Sequence, residues 1–278
     1  MKKILITGNS GYIGSHLSQI LKRHNDVILH GLDRNDPQIP LDLQYKVDIA
    51  TDVEWGINTE YDAVIHLAAE VAVGRSVLNP TPYFLSNTMG TLNVLKKIKT
   101  RNFIFASTGS AAGLGSPYGI SKRMAEDIVN QHCTENDIAF TIFRFYNVIG
   151  SDGIKPTNPD GLMWNLMNAT TSGVFNLFGT DYDTKDGTCV RDYTHVNEIC
   201  HSVIKGINTS SNRIENLGHG VGTTVQEIVD IFKSVNNVEF DIVPMPRREG
   251  DLPISVLSNP SSYMEQLYNI SELLLLNK

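Results

Sequence analysis

The chain has few cysteines and no excess of positive charge, and both shortages restrict its function. Only three of its 278 residues are cysteine, Cys133, Cys189 and Cys200, and they lie far apart. No Cys-x-x-Cys or Cys–His spacing indicates zinc, so we expect no metal, and scattered free thiols are typical of a reducing, cytoplasmic compartment. The formal net charge of −7 argues against the basic surface that nucleic-acid binding requires.

Long hydrophobic runs are also absent. No apolar stretch approaches the roughly 20 residues that a membrane-spanning helix needs, so we expect no membrane insertion. The apolar run near the N-terminus is short and ends in the polar sequence GNS, which argues against an export signal. A hydrophobic content of 41% is ordinary for a globular protein with a substantial core.

Short apolar segments alternate with helical patterns through the first half of the chain. Five segments predict strands, namely KKILITG, DVILHGLD, YDAVIHLAA, NFIFAS and AFTIFRFYN. Their nearly continuous hydrophobicity is typical of parallel strands that are covered on both faces. Helices are predicted near residues 13–24, 80–99 and 118–134. This order predicts an α/β fold, a doubly wound parallel sheet.

After Gly150 the pattern becomes less regular. A loop rich in glycine, proline, asparagine and aspartate, SDGIKPTNPDG, leads into a helical stretch and several shorter strand and helix patterns. We therefore predict a nucleotide-binding domain of residues 1–150, to which roughly 180–212 return. Residues 151–179 and 213–278 are predicted to form a smaller α/β substrate-binding lobe.

The first predicted strand runs into the glycine-rich sequence TGNSGYIGSH, in which Gly8, Gly11 and Gly14 are evenly spaced. Glycine permits a tight turn, and the following helix N-terminus offers free N–H groups to a pyrophosphate. Asp33 ends the second strand, where a dinucleotide-binding fold places a carboxylate on a ribose. A carboxylate there favours NAD over NADP, although Arg34 offers a cation to a 2′-phosphate. A glycine-rich turn without a ligand is the alternative.

A second candidate is the stretch SPYGISKRMAED, which places Tyr118 and Lys122 four residues apart on one face of a helix. Such a spacing also occurs in ordinary amphipathic helices. A free phenol has a pKa of about 10, too high for a base near neutrality. An ammonium roughly 6 Å away lowers that pKa by ~2 units at an effective dielectric constant of ~20. The pair is therefore a candidate proton-transfer device.

Several motifs in the expected order resemble the extended short-chain dehydrogenase/reductases. They are the glycine loop, Asp48-Ile49, His66-Leu67-Ala68-Ala69, Asn87 and the Tyr118/Lys122 pair. The later stretches DGTCVRDYTHV, NLGHGVGTTV and RREGDLP are similar to the UDP-glucose 4-epimerase family. The resemblance extends from the first strand to about Pro253. It implies a Rossmann fold that binds NAD and a UDP-sugar.

The resemblance implies a role for each matching residue. Tyr118 is the acid/base, Lys122 supports it and binds the nicotinamide ribose, and Thr108 bridges the sugar and the tyrosine. The implied NAD contacts are Gly8, Gly11, Tyr12, Ile13, Gly14, Asp33, Asp48, Ile49, Leu67, Ala68, Ala69, Asn87, Ser107, Tyr118, Lys122 and Tyr146. The implied substrate contacts are Thr108, Asn147, Asn165, Phe178, Arg191, Arg248, Asp251 and Ser255.

The implied reaction is 4-epimerisation of UDP-glucose and UDP-galactose through a transient 4-keto sugar. Related dehydratases carry acidic residues directly after the catalytic threonine, whereas Gly109 and Ser110 stand there in this chain. By the same resemblance, Ser255 stands where the family has a gatekeeper residue, and a small residue there leaves room for a 2-acetamido group, so UDP-GlcNAc and UDP-GalNAc are expected substrates as well. The short segment between Thr108 and Tyr118 departs from the family pattern and alters one wall of the sugar site.

Other functions are consistent with the same residues. One is another NAD-dependent nucleotide-sugar enzyme, such as a UDP-glucuronate 4-epimerase, a dehydratase or a reductase. Another is a non-catalytic dinucleotide-sensing protein on the same fold. The resemblance also implies a homodimer formed through the helices near 80–99 and 118–134.

Overall fold

The computed structural model describes residues 1–51, 53–113, 115–208, 211–259 and 274. The strands are β1 (Lys2–Thr7), β2 (Val27–Asp33), β3 (Leu43–Lys46), β4 (Glu60–Tyr61), β5 (Ala63–His66), β6 (Lys99–Thr100), β7 (Asn102–Thr108), β8 (Ala139–Phe145), β9 (Asn147–Ile149), β10 (Val174–Phe178), β11 (Val190–His195), β12 (Arg213–Leu217), β13 (Gly222–Thr224), β14 (Asp241–Met245) and β15 (Ile254–Ser255).

The helices connect these strands. They are α1 (Tyr12–Leu21), α2 (Val73–Leu78), α3 (Thr81–Tyr83), α4 (Gly90–Lys97), α5 (Ser110–Gly113), α6 (Pro117–Glu135), α7 (Leu162–Ser172), α8 (Val196–Ile207) and α9 (Val225–Asn236). A π-helical segment, Phe84–Met89, joins α3 to α4. The single helix predicted near 80–99 is thus a composite that ends at Lys97.

A large parallel sheet has the strand order β12-β8-β7-β5-β1-β2-β3. β1 pairs with β2 on one side and with β5 on the other, so the chain winds outward in both directions from this point. Ligands of open α/β sheets bind at such a switch point, outside the carboxyl ends of the strands. The topology therefore predicts a ligand-binding site beside Thr7, where β1 ends.

Helices cover both faces of the large sheet. Leu5 of β1 packs into one buried cluster with residues of α4 and α6, including Val94 and Val129. Ile4 belongs to a second buried cluster with residues of α1 and α8, including Leu17. Successive side chains of a strand point to opposite faces, which explains why the three consecutive residues Ile4, Leu5 and Ile6 of β1 are all apolar. The predicted doubly wound α/β fold is confirmed.

The second half of the chain builds a smaller set of elements. β9, β11, β13 and β15 form a four-stranded sheet, β10 pairs with β14, and α7 and α9 contribute residues to a third buried cluster. One predicted boundary is wrong. Strand Arg213–Leu217, assigned to the smaller lobe, pairs with β8 and forms the edge of the large sheet.

Within the described ranges, no helix combines the length and hydrophobicity needed to cross a membrane. Across the same residues, no group of His, Cys, Asp or Glu side chains is arranged to hold a metal ion. The three cysteines are buried and unpaired.

Candidate active site

A cavity of about 580 Å³ lies at the carboxyl edge of the large sheet. It extends from the glycine loop after β1 to the first turns of α6. Of the residues predicted for the site, the following line it: Gly8, Gly11, Tyr12, Ile13, Gly14, Asp33, Asp48, Ile49, Leu67, Ala68, Ala69, Ser107, Thr108, Tyr118, Lys122 and Tyr146. The fold thus gathers into one concavity residues that lie far apart in sequence.

The glycine loop has no space for side chains at two positions. A Cβ at Gly8 would lie 2.6 Å from the Ala68 nitrogen, and the backbone φ of +74° there disfavours other residues. A Cβ at Gly14 would lie 2.2 Å from the Gly8 carbonyl oxygen. The loop therefore packs against the end of β5 and leads directly into α1, whose N-terminus faces the cavity. This is an arrangement that fits a pyrophosphate.

Asp33 lies beside the glycine loop, at the end of β2. Its carboxylate accepts hydrogen bonds from the backbone N–H groups of Ser10 (3.1 Å) and Asn35 (2.8 Å), which fixes it beside the glycine loop. The neighbouring Arg34 forms an ion pair with Glu70 at 2.7 Å. That guanidinium is therefore paired within the chain, and the Asp33 carboxylate is the group that disfavours a 2′-phosphate at this position.

The start of α6 brings the reactive side chains together. The Ser116 side chain caps the helix by accepting a hydrogen bond from the Gly119 N–H (3.2 Å), and the Tyr118 N–H donates to the Ser76 hydroxyl (3.1 Å). The Tyr118 phenol is hydrogen-bonded to the hydroxyl of Thr108, at the end of β7. Lys122 follows one turn later and is only 3% exposed.

Comparisons with known proteins agree with this geometry. Residues 4–218 match the model of the NAD dependent epimerase/dehydratase family. The chain belongs to this family. It is 31% identical, over 97% of its length, to the UDP-glucose 4-epimerase of Haemophilus influenzae and covers 93% of that protein.

Two further similar proteins show that the relatives are named for different UDP-sugars. The chain is 33% identical to UDP-arabinose 4-epimerase 1 of Arabidopsis thaliana, with 95% of this chain and 74% of that protein covered. The solved structure of the UDP-Glc/GlcNAc 4-epimerase from Campylobacter jejuni is 27% identical and superposes with a TM-score of 0.76, covering 99% of this chain and 98% of that one.

The epimerase/dehydratase family is NAD-dependent, and the cavity fits NAD. The closely packed glycines leave the pyrophosphate position free of side chains. The Asp33 carboxylate would meet the adenosine ribose, and Lys122 lines the same cavity. These residues, with the glycine loop, are the ones that would hold the cofactor.

Burial changes the pKa of both reactive groups. It raises the pKa of Tyr118 to about 12, and the hydrogen bond to Thr108 opposes this rise. It lowers the pKa of Lys122 to about 7, and the carboxylate of Glu126 opposes this fall. The predicted net lowering of the phenol pKa is therefore wrong for the chain's own groups, because burial of the phenol is the largest influence on it.

Glu126 is a functional residue that the sequence argument missed. Its buried carboxylate accepts from the Ser107 hydroxyl (2.5 Å) and is held by Arg144 through two hydrogen bonds, of 2.8 and 2.6 Å. Ser107, predicted as an NAD contact, lines the cavity but donates its hydroxyl to this carboxylate. Two features of the sequence could have indicated this buried pair. One is the arginine inside the apolar run AFTIFRFYN, and the other is the glutamate four residues after Lys122.

Asn87 lies behind the cavity wall. Its side-chain oxygen accepts from the Glu70 N–H (2.8 Å), and its nitrogen donates to the Glu70 carbonyl (3.0 Å) and to the Ser121 hydroxyl (3.0 Å). The residue lies in the π-helical segment, and such segments often occur at functional sites. Asn87 thus positions the loop after β5, and a direct NAD contact stays a prediction.

Gly109 explains the position of Tyr146. A Cβ at Gly109 would lie 2.9 Å from the Tyr146 ring, so a larger side chain at position 109 would displace that ring. The glycine directly after Thr108 thus allows the close approach of the Tyr146 ring. Tyr146 also lines the cavity.

The remaining predicted substrate residues lie outside the cavity lining. Arg248 stacks on Phe178, with the guanidinium carbon 4.0 Å from the ring centroid. Arg191 donates to the Leu252 carbonyl (2.7 Å) and lies 3.7 Å from the Asp251 carboxylate. Ser255 pairs with Arg191 between β15 and β11. The Asp251 N–H donates to the Arg248 carbonyl (3.2 Å), which joins these contacts into one group in the smaller lobe.

Two predicted amide contacts are used within the protein. Asn165 donates to the Pro159 (3.0 Å) and Gly161 (2.8 Å) carbonyls, which fixes the start of α7. Asn147 donates to the Asp192 carbonyl at 3.4 Å. Their contacts to a substrate stay predictions.

Lys122→Met is expected to stabilise the protein at neutral pH. The folded state lowers the Lys122 pKa to about 7, whereas an unfolded lysine titrates near pH 10. Burying the ammonium therefore costs stability at pH 7, and this cost declines as the pH rises toward 10. We expect a free energy of unfolding about 2 kcal/mol above wild type at pH 7, measured by chemical denaturation, and a smaller gain at pH 10. The exposed control Lys96→Met should show no such trend; a destabilised Lys122→Met would contradict the argument.

Glu126→Gln is expected to destabilise the protein by about 3 kcal/mol, because it leaves the Arg144 guanidinium without its buried partner. Denaturation of wild type and variant at pH 7 measures this effect. Asp127→Asn, which changes the adjacent exposed partner of Arg123, should change stability by less than about 0.5 kcal/mol. Equal small effects would show that the buried pair is not important for stability.

Proposed function

We propose that this chain is an NAD-dependent 4-epimerase of UDP-hexoses. The observation that carries the proposal is the meeting of Tyr118, Lys122 and Thr108 in the same cavity that begins at the glycine loop and Asp33. A dinucleotide extending from that loop reaches the reactive side chains. The glycine and serine after Thr108 supply no acid for elimination, which favours epimerisation over dehydration.

Tyr118 is the group that moves the proton. It removes the proton from the sugar 4-hydroxyl during oxidation and returns it after the sugar has turned in the site. The Thr108 hydroxyl, bonded to the phenol, stabilises the phenolate and orients the ring. Bound NAD supplies an acceptor for the C4 hydride and a positively charged ring that favours the phenolate. Lys122 adds positive charge whenever it keeps its proton.

UDP is the group by which we expect the substrate to be held. Arg191 and Arg248 offer guanidinium groups to the two phosphates, and Phe178 offers a flat face to the uracil. The substrate class includes UDP-glucose and UDP-galactose. UDP-GlcNAc and UDP-GalNAc are included because Ser255 is small and lies beside Arg191. The names of the relatives, which cover UDP-glucose, UDP-GlcNAc and UDP-arabinose, support a UDP-sugar.

We also infer that the protein forms homodimers in the cytoplasm. Leu85 and Met89 lie four residues apart and are exposed, as are Ile120 and Met124 of α6. Exposed apolar stripes on neighbouring helices are typical of an interface. Three buried free cysteines support a reducing compartment.

The wild-type protein is expected to convert UDP-galactose to UDP-glucose without added cofactor, and Tyr118→Phe to lower kcat by about a thousandfold. A coupled assay on purified protein measures both. Tyr45→Phe, outside the cavity, should keep its activity. Full activity in Tyr118→Phe would refute the mechanism.

The same assay separates the alternative functions. Accumulation of NADH would indicate a dehydrogenase, and no turnover of any UDP-sugar despite bound dinucleotide would indicate a sensing protein.

Ser255→Tyr is expected to lower activity on UDP-GlcNAc and UDP-GalNAc by about a hundredfold, because the ring would occupy the space of the acetamido group. Activity on UDP-glucose and UDP-galactose should fall much less. Comparing kcat/KM for the four sugars checks this. Ser258→Tyr, at an exposed position of the same segment, is the control. Unchanged activity of Ser255→Tyr on the N-acetylated pair would refute the gatekeeper role.

A further inference from the structure

Arg75, which no sequence motif assigned to the site, lines the cavity together with Tyr118 and Asn158. It belongs to the short helix α2, which is tied to the catalytic helix because the Tyr118 N–H donates to the hydroxyl of the adjacent Ser76 (3.1 Å). The Tyr83 hydroxyl fixes the chain just before α2 by donating to the Ala72 carbonyl (2.9 Å). Arg75 is therefore a cation on a well-anchored wall of the cavity.

Two guanidinium groups meet at Asp160, that of Arg75 from the cavity wall and that of Arg248 from the smaller lobe outside the cavity lining. Arg75 Nε lies 2.5 Å from the Asp160 carboxylate, and Arg248 donates to the Asp160 carbonyl at 3.1 Å. Arg248 is also stacked on Phe178. Two converging guanidinium groups beside an aromatic face are suited to a nucleoside diphosphate, because arginine binds phosphate oxygens in a forked, charge-assisted geometry.

The contact between Arg75 and Asp160 joins two side chains that are partly open to water, while the paired Asp160 oxygen is itself shielded. The two side chains are 54% and 42% exposed, and ion pairs in water contribute little to stability. The loop that carries Asp160 has its own support, because the Asp160 N–H donates to the Asn158 side chain (3.1 Å) and the Gly161 N–H donates to the Asn158 carbonyl (3.0 Å). Arg75 also donates to the Asn158 side-chain oxygen, at 3.4 Å, but the bonds that Asn158 makes within the loop are shorter and give the loop support besides Arg75.

We propose that Arg75 is a third arginine ligand of the substrate diphosphate and that the Asp160 carboxylate occupies its guanidinium until the substrate binds. This inference rests on the proposed function, since it concerns how the same UDP-sugar is held. A diphosphate carries more negative charge than one carboxylate and displaces Asp160 toward water. Asp160 is then a competitor of the substrate, and its removal strengthens binding.

The test compares the affinities for UDP and uridine, measured by isothermal titration calorimetry on the purified protein with its bound dinucleotide. Arg75→Ala is expected to raise the Kd for UDP by about tenfold, as for loss of one charged hydrogen-bonding group, and to leave the Kd for uridine unchanged. Arg75→Lys, which keeps the charge and loses the fork, should give an intermediate Kd. Arg101→Ala, which removes an exposed ion pair with Glu60, is the control.

Asp160→Asn distinguishes a competitor from a structural contact. If Asp160 competes with the diphosphate, the variant binds UDP about threefold more tightly. If the pair only closes the cavity, Asp160→Asn weakens UDP binding as Arg75→Ala does, and the inference is overturned. Melting temperatures of the variants show whether either change acts through folding.

The inference and the proposed function fail in different ways. An unchanged Kd for UDP in Arg75→Ala, in a protein that epimerises UDP-galactose, overturns the inference alone. Binding of UDP that depends on Arg75, in a protein that epimerises no UDP-sugar, overturns the proposed function alone.

Discussion

The candidate site is built around an ammonium group that is held away from water. Lys122 points at the face of Phe105, 4.2 Å from its centroid, and its pKa is lowered to about 7 by burial. The Glu126 carboxylate opposes that fall, while Arg144 keeps Glu126 in place. His66 lies against Phe105 and has its pKa lowered to about 3, so it adds no second cation. The charge on Lys122 is therefore poised near neutral pH.

The parallel sheet explains why these groups meet. Thr7, Asp33, His66 and Thr108 end four strands whose carboxyl ends share one edge, and helix α6 begins beside that edge. Each reactive side chain thus lies at a strand end or in the first turns of a helix, where the backbone is fixed by the sheet. Such placement gives catalytic groups a rigid support while the adjoining loops remain free to vary.

Local chemistry made part of this site predictable from sequence. The glycine loop, Asp33 and the Tyr118/Lys122 pair follow from rules that act within a few residues, and the alternation of apolar runs predicts the sheet. Contacts between distant elements left no such signal. The Glu126 carboxylate meets Arg144 only because α6 packs on β8. Strand Arg213–Leu217 was assigned to the smaller lobe because nothing in its sequence, RIENL, indicates that it pairs with β8.

The cofactor side and the substrate side of the site are each stabilised by interactions of different strength. On the cofactor side, Asp33 is fixed by backbone N–H groups and Glu126 lies in a buried network, and removing one partner of a buried network is costly. On the substrate side, Arg75 pairs with Asp160 through two partly exposed side chains, and such contacts contribute little. An epimerase restores its dinucleotide within each cycle and must release its sugar. A rigid cofactor end and an exchangeable substrate end meet both requirements.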